Sequence, residues 1–190
     1  MTPKNEIRKI AICGTHGVGK STLAYQLAAA YKTQGLNCKV INETARSCPF
    51  PLNHGMTIEA AMWIAHSHIN KELEAQARLY QVVVSDRSSI DSLMYASHFG
   101  LHSHPYYPGM HQLAERWLNH YYQVVFVRPD PDYSATEDGI RDTGHAFRAS
   151  VDQQFETFFN HTSVDLKEKL ITVNAAEIFG GTACKKLLGS

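Results

Sequence analysis

The chain carries no net formal charge: Lys plus Arg number 18 and Asp plus Glu number 18 among 190 residues. No overall field therefore draws it to nucleic acid or to an anionic membrane, although a neutral total leaves room for a local basic cleft. It lacks an apolar run long enough to cross a bilayer. Met1 to Glu6 lead straight into an apolar segment without the core of a secretory leader. The four cysteines, Cys13, Cys38, Cys48 and Cys184, form no C-x-x-C pair. A chain of this size needs no disulfide staples, so reduced thiols and a cytoplasmic location are expected. Internal repeats and low-complexity stretches are also missing. What is present is an apolar content of 44%, enough for one packed domain over residues 1–190 and too short a chain for two.

Short apolar runs alternate with helical patterns along the chain. Strands are expected at Lys9–Cys13, Cys38–Asn42, Gln81–Ser85, Val124–Val127 and Lys169–Val173. Helices are expected at Lys20–Thr33, from Ile58 to about Leu79, and at Ser89–Phe99, His111–Tyr121, Phe147–Asn160 and Glu177–Leu188, the last weakened by Gly180-Gly181. Thr57 is placed to cap the second helix, whose apolar face is read as Ile58, Met62, Ala65, Ile69, Leu73 and Ala77. Arg46–Gly55 and His102–Gly109 carry prolines and glycines and read as loops. Such alternation predicts an α/β fold of three layers, a five-stranded parallel sheet with helices on both faces, because parallel strands need crossover connections. Ligands of such sheets sit beyond the carboxyl ends of the strands.

At the end of the first strand, Gly14-Thr15-His16-Gly17-Val18-Gly19-Lys20-Ser21 fits G-x-x-x-x-G-K-[ST] at every fixed position. The segment through Thr22 lies between a predicted strand and a predicted helix, the context this motif requires. Its glycines let backbone amides turn inward around a phosphate, and the helix adds its positive end. Lys20 is expected to reach the β- and γ-phosphates of ATP or GTP, and Ser21 to hold Mg²⁺ through its hydroxyl. The bland alternative is a glycine-rich turn that binds nothing.

Further candidates lie at the ends of the other strands. Asp86 follows the third strand, where an acid can orient Mg²⁺ directly or through water. Arg87 stands beside it, and the Asp86-Arg87 pair resembles that of nucleoside and nucleotide kinases, which implies that it faces the acceptor substrate and the transferring phosphate; a surface ion pair is the alternative. Glu43, just past the second strand, could take a proton from an acceptor hydroxyl, bond a sugar hydroxyl, or be a solvated carboxylate. Asp138-Gly139-Ile140-Arg141, with Arg148 seven residues later, falls in a broken segment at about 129–148. It reads as a short lid whose arginines would neutralise charge during transfer, or else as a solvated helical face. Arg128 is a further candidate by position alone. A zinc site built from the 11 histidines finds no support in an H-E-x-x-H pattern. Trp63, Tyr106, Tyr107 and Trp117 could stack on a base, but packing is the default.

Taken in order, Gly14 to Thr22, Glu43-Thr44-Ala45-Arg46, Asp86-Arg87 and Asp138-Gly139-Ile140-Arg141 with Arg148 resemble the P-loop kinases. The nearest resemblance is to the nicotinamide-riboside kinase domain and to the deoxynucleoside and thymidylate kinase group, within the wider AAA-type ATP-binding domains. The likeness runs from Ile10 to about Phe159, and its specific part is the phosphate loop. Arg87-Ser88-Ser89 departs from the nicotinamide-riboside group and leans toward the deoxynucleoside kinases. The resemblance implies transfer of the γ-phosphoryl group of ATP, with Mg²⁺, to a nucleoside, nucleotide or similar small acceptor, and is compatible with a homodimer. It implies catalytic roles for Lys20, Glu43, Asp86, Arg87, Arg141 and Arg148, Mg²⁺ on Ser21 and Asp86, and an adenine-lining loop at Asn174-Ala175-Ala176. Two other readings stay open: a kinase of nucleic-acid ends or modified bases, and an NTPase that hydrolyses nucleotide to regulate a partner. The chain has no guanine-reading N-K-x-D segment.

Overall fold

The computed structural model describes residues 7–130 and 145–189. Five strands, β1 (Arg8–Cys13), β2 (Cys38–Ile41), β3 (Val82–Asp86), β4 (Gln123–Arg128) and β5 (Leu170–Asn174), form one sheet in the order β2-β3-β1-β4-β5. Every pairing is parallel. The central strands β1, β3 and β4 are short, rich in β-branched residues and buried on both faces over most of their length, while the edge strands β2 and β5 are only partly covered. Ile10 and Ile12 of β1 pack on one side with α1 (Lys20–Thr33) and with α6 (Ala175–Phe179) and α7 (Thr182–Leu188). Ala11 and Cys13, pointing the other way, pack with α2 (Ile58–Ala77), α3 (Ser89–His98), α4 (Tyr107–Trp117) and α5 (His145–His161).

The three-layer expectation holds, and differences arise where local signals were misread. Pro108 does not break a loop but lies in the first turn of α4, so that helix starts four residues before His111. Proline is tolerated there because the first helical N–H groups have no partner within the helix. Asn174-Ala175-Ala176 is not a loop: Asn174 caps α6 in a reciprocal box with Glu177, directly after β5. Gly180-Gly181 does not merely weaken a helix but separates α6 from α7.

On α2 the buried stripe differs from the expected one. Thr57 caps it, accepting from the amide of Ala60 at 3.3 Å. Leu73, however, is 44% exposed, and His68 and Glu72 turn inward instead. Glu72 survives burial because four neighbours reach it. Ser85 Oγ (2.8 Å) and Tyr121 Oη (3.0 Å) donate to one carboxylate oxygen, with His68 3.5 Å from the same atom. Trp117 Nε1 donates to the other at 2.7 Å. Trp117 is partly buried against the core, its ring stacked on His120 with centroids 4.2 Å apart.

Adjacent strands β1 and β3 send their following helices, α1 and α3, to opposite faces of the sheet. Their carboxyl ends therefore open a crevice between them, the switch point where open α/β sheets bind ligands.

Candidate functional site

The phosphate loop fills one side of this crevice. Gly14 has φ 138°, and a Cβ there would lie 2.3 Å from the carbonyl oxygen of Val127. Only glycine lets the chain pass so close to β4 and still turn its amides inward. Gly19 has φ 92° and stands just before α1, whose amides open toward the loop. Lys20 is buried, and its ammonium folds back to donate to the carbonyl of Thr15. Burial, with help from the nearby Arg87 charge, brings its pKa down to about 8. An ammonium in that state gains from an arriving polyphosphate, which restores the charge that burial penalises.

Ser21, the next residue, donates its hydroxyl to Asp86 Oδ2 at 2.5 Å. Asp86 is the last residue of β3 and is itself buried. Two hard oxygen donors at the mouth of the loop suit Mg²⁺, which favours carboxylate, hydroxyl, water and phosphate oxygens.

Arg87 leaves the strand with φ 82°, a conformation uncommon for a side chain of this size. The turn aims its guanidinium into the crevice, where Nε lies 2.5 Å from Glu43 Oε1 and Nη1 lies 3.5 Å from Asp91 Oδ1. It also stands 5.5 Å from the centre of the Tyr95 ring, over its face. Burial works against this cation, but Glu43 leads the anions that hold its pKa above the ordinary arginine value. The Glu43 carboxylate meets Arg46 as well, at 3.5 Å. Glu43, Asp86 and Arg87 thus come together, with Lys20 within electrostatic reach of all three.

Asp91 joins the two halves of the site, and sequence reasoning missed it. Its Oδ1 accepts from the Gly14 amide at 3.3 Å, while Oδ2 accepts from the amide and hydroxyl of Ser88, both at 2.9 Å. Ser88 and Asp91 form the capping box that starts α3. The cue was present in the chain as S-x-x-D ahead of an apolar run. Burial raises the pKa of Asp91. Tyr95, one turn further along α3, was also missed. Its hydroxyl lies 3.2 Å from Nδ1 of His16 in the phosphate loop, and both rings meet Phe147 of α5.

Glu43, Arg87, Asp91 and Tyr95 line a cavity of about 460 Å³ that continues away from the phosphate loop between apolar walls, among them Phe50, Met56, Ile64 and Phe99. Other candidates fall elsewhere. Arg128 turns to α5, pairing with Asp152 at 2.6 Å and Glu156 at 2.5 Å. Arg148 is buried on α5, and its Nε has no hydrogen-bond partner among the described residues. Asp138, Gly139, Ile140, Arg141 and Gly144, with most of the expected lid, lie outside the described residues. Among the described residues no three His, Cys, Asp or Glu side chains gather as a metal-binding group. Tyr106 is exposed, and Tyr107 packs on the core.

A doubly wound sheet with an amide-lined, lysine-bearing loop at its switch point defines a P-loop nucleotide-binding domain. A family model described as an AAA domain matches residues 9–174, and the chain belongs to that family. No curated protein matches it by sequence. Among solved structures it is similar to a NadR protein in complex with NR, at 14% identity and a TM-score of 0.69. That match covers 98% of this chain and 53% of the other, so the chain spans about half the length of that protein. It is also similar to deoxyadenosine kinase from M. mycoides with bound dATP, at 15% identity and a TM-score of 0.58, covering 96% of this chain and 100% of that one. Identities this low speak for a shared fold alone.

Proposed function

We propose that the protein is a phosphotransferase that uses ATP and Mg²⁺ to phosphorylate a nucleoside-like small molecule. The observation that carries this reading is one continuous site: Asp91 bonds the phosphate loop at Gly14 and contacts Arg87, which pairs with Glu43 on the wall of a cavity of ligand size. A donor cradle beside a second pocket of ligand size suits transfer between two bound molecules rather than hydrolysis. The NR and dATP of the similar structures fit this reading.

In it, the loop amides and Lys20 hold the donor phosphates. Ser21 and Asp86 would hold Mg²⁺, which when bound neutralises charge on the β- and γ-phosphate oxygens. Glu43 meets the acceptor hydroxyl. Already paired with Arg87 and Arg46, it serves best as the acceptor of a hydrogen bond that orients that hydroxyl toward the γ-phosphate. Arg87, Arg148 and Arg141 supply positive charge for the oxygens that gain negative charge during transfer. The loose transition state leaves the protein mainly positioning and electrostatic work.

Incubation with γ-labelled ATP, Mg²⁺ and a panel of nucleosides, nucleotides and oligonucleotides tests the proposal. Label on a small molecule is expected. Release of free phosphate alone would make the chain a hydrolysing NTPase, and label on the oligonucleotides would make it a nucleic-acid kinase; either result contradicts the proposal.

A further inference from the structure

The wall of the cavity beside Arg87 and Glu43 carries one hydroxyl that finds no partner among the described residues. Four hydroxyl-bearing residues line the wall: Thr44, Ser88, Ser92 and Tyr95. Thr44 donates to the carbonyl of Ile64 at 3.3 Å, Ser88 is engaged in the α3 cap, and Tyr95 meets His16. Ser92 is 4% exposed, and its Oγ has no hydrogen-bond partner among the described residues. A buried serine on a helix ordinarily bonds back to a carbonyl one turn earlier; this one does not. Leaving a buried hydroxyl unbonded costs free energy, so such a group in a ligand-sized cavity marks either a defect or a function.

The surroundings favour function. The charged side chains of the wall answer one another: Arg87 pairs with Glu43 and Asp91, and Arg46 meets Glu43. The rest of the wall includes Phe50, Leu52, Met56, Ile64 and Phe99. Apolar walls with a single free hydroxyl suit an uncharged planar ring that has a polar edge. A serine hydroxyl changes direction by moving between staggered χ1 positions, with no shift of the backbone.

We propose that Ser92 is a specificity-determining residue of the acceptor pocket, its hydroxyl hydrogen-bonding the edge of an uncharged heterocycle held against the apolar wall. This deepens the phosphotransferase reading and rests on it. The acceptor hydroxyl lies at the Glu43–Arg87 end and the ring at the Ser92 end. The acceptor class is then a nucleoside with a neutral base.

Ser89 provides a matched control. Its hydroxyl is also buried and without a partner, but Ser89 is not on the cavity wall. The experiment measures calorimetric binding of adenosine, guanosine, cytidine and thymidine, and thermal melting without ligand, for the wild type, Ser92→Ala and Ser89→Ala. Each alanine removes an unsatisfied group and suits a helix, so both variants should melt above the wild type. Only Ser92→Ala should weaken the best-bound nucleoside, by about 10-fold, and reduce the spread of affinities across the four bases. Ser92→Cys, similar in size with a weaker donor, should fall between and serves if the alanine variant fails to fold. Unchanged nucleoside affinity in Ser92→Ala, or in Ser92→Cys where that stands in, overturns the inference. A lower melting temperature in Ser92→Ala also overturns it, by showing the hydroxyl bonded within the protein. Wild-type protein that transfers phosphate but binds no neutral nucleoside overturns it too and leaves the phosphotransferase reading standing; absence of ATP-dependent transfer defeats that reading first.

Discussion

Lys20 concentrates the physics of the site in one atom. Its ammonium is buried, close to Arg87, and rests on the Thr15 carbonyl. With its pKa brought down from 10.5 to about 8, it loses its proton in the folded protein at a pH where the unfolded chain still keeps one. The unfolded state thus binds more protons between about pH 8 and 10.5, and this group's contribution to stability rises with pH across that window. Nucleotide binding should run the opposite way. Triphosphate affinity should fall as pH rises through about 8, and binding near that pH should take up protons, read as calorimetric heats that depend on the buffer. Affinity that stays flat from pH 7 to 9.5 would remove Lys20 from the phosphate contacts. The lysine itself was legible in the sequence, because fixed glycine spacing between a strand and a helix has few other uses. The partners of its neighbour Arg87 were not, since Glu43 and Asp91 reach it from separate segments that only the folded sheet brings together.

At the scale of elements, α3 ties the two sides of the site together. Its capping box also holds the phosphate loop, because the carboxylate that caps the helix accepts from Gly14. Asp91→Ala removes the reciprocal cap, the Gly14 anchor and a partner of a buried arginine. Loss of about 3 kcal/mol in urea denaturation is expected, together with weaker ATP binding. A variant as stable as the wild type would show that the cap and anchor are incidental. Element boundaries were legible where one signal acted alone, as at Thr57 or Gly19. They were missed where two signals competed. Pro108 reads as a breaker by composition and as a helix starter by position, and position prevailed. Leu73 should have been inside by periodicity, but the polar partners Ser85, Tyr121 and Trp117 turned the Glu72 side of α2 inward instead.

Across the whole molecule, structure and site are carried by different charged groups. Lys9 is buried on β1, its Nζ has no hydrogen-bond partner, and it lies 5.6 Å from the centre of the Trp117 ring. Burial lowers its pKa, and Glu72 acts to raise it. For Glu72 burial is again the largest influence and acts upward, yet His68, Trp117 and Ser85 together hold its pKa below the ordinary value. Glu72→Gln keeps the shape but leaves Lys9 without that counter-charge, so a loss of about 3 kcal/mol in urea denaturation is expected. Because Glu72 takes no part in the site, kcat and KM measured well below the melting temperature should stay as in the wild type. A selective fall in kcat would contradict that division. The fold could be read from the alternation of strands and helices, because the central strands β1, β3 and β4 are apolar runs buried on both faces and the helices between strands carry apolar stripes. The Glu72 network could not, since it joins α2, β3 and the chain around Trp117 and Tyr121 across long separations, and no local pattern marks them.

The central claim is that the amides between β1 and α1, with Lys20, form a nest for a nucleoside triphosphate. Calorimetric titration of MgATP into the wild type and Lys20→Ala at pH 7 tests it most directly. The account predicts saturable binding by the wild type and affinity reduced roughly 10²-fold or more in the variant. No binding by the wild type, or equal binding by both, would contradict it.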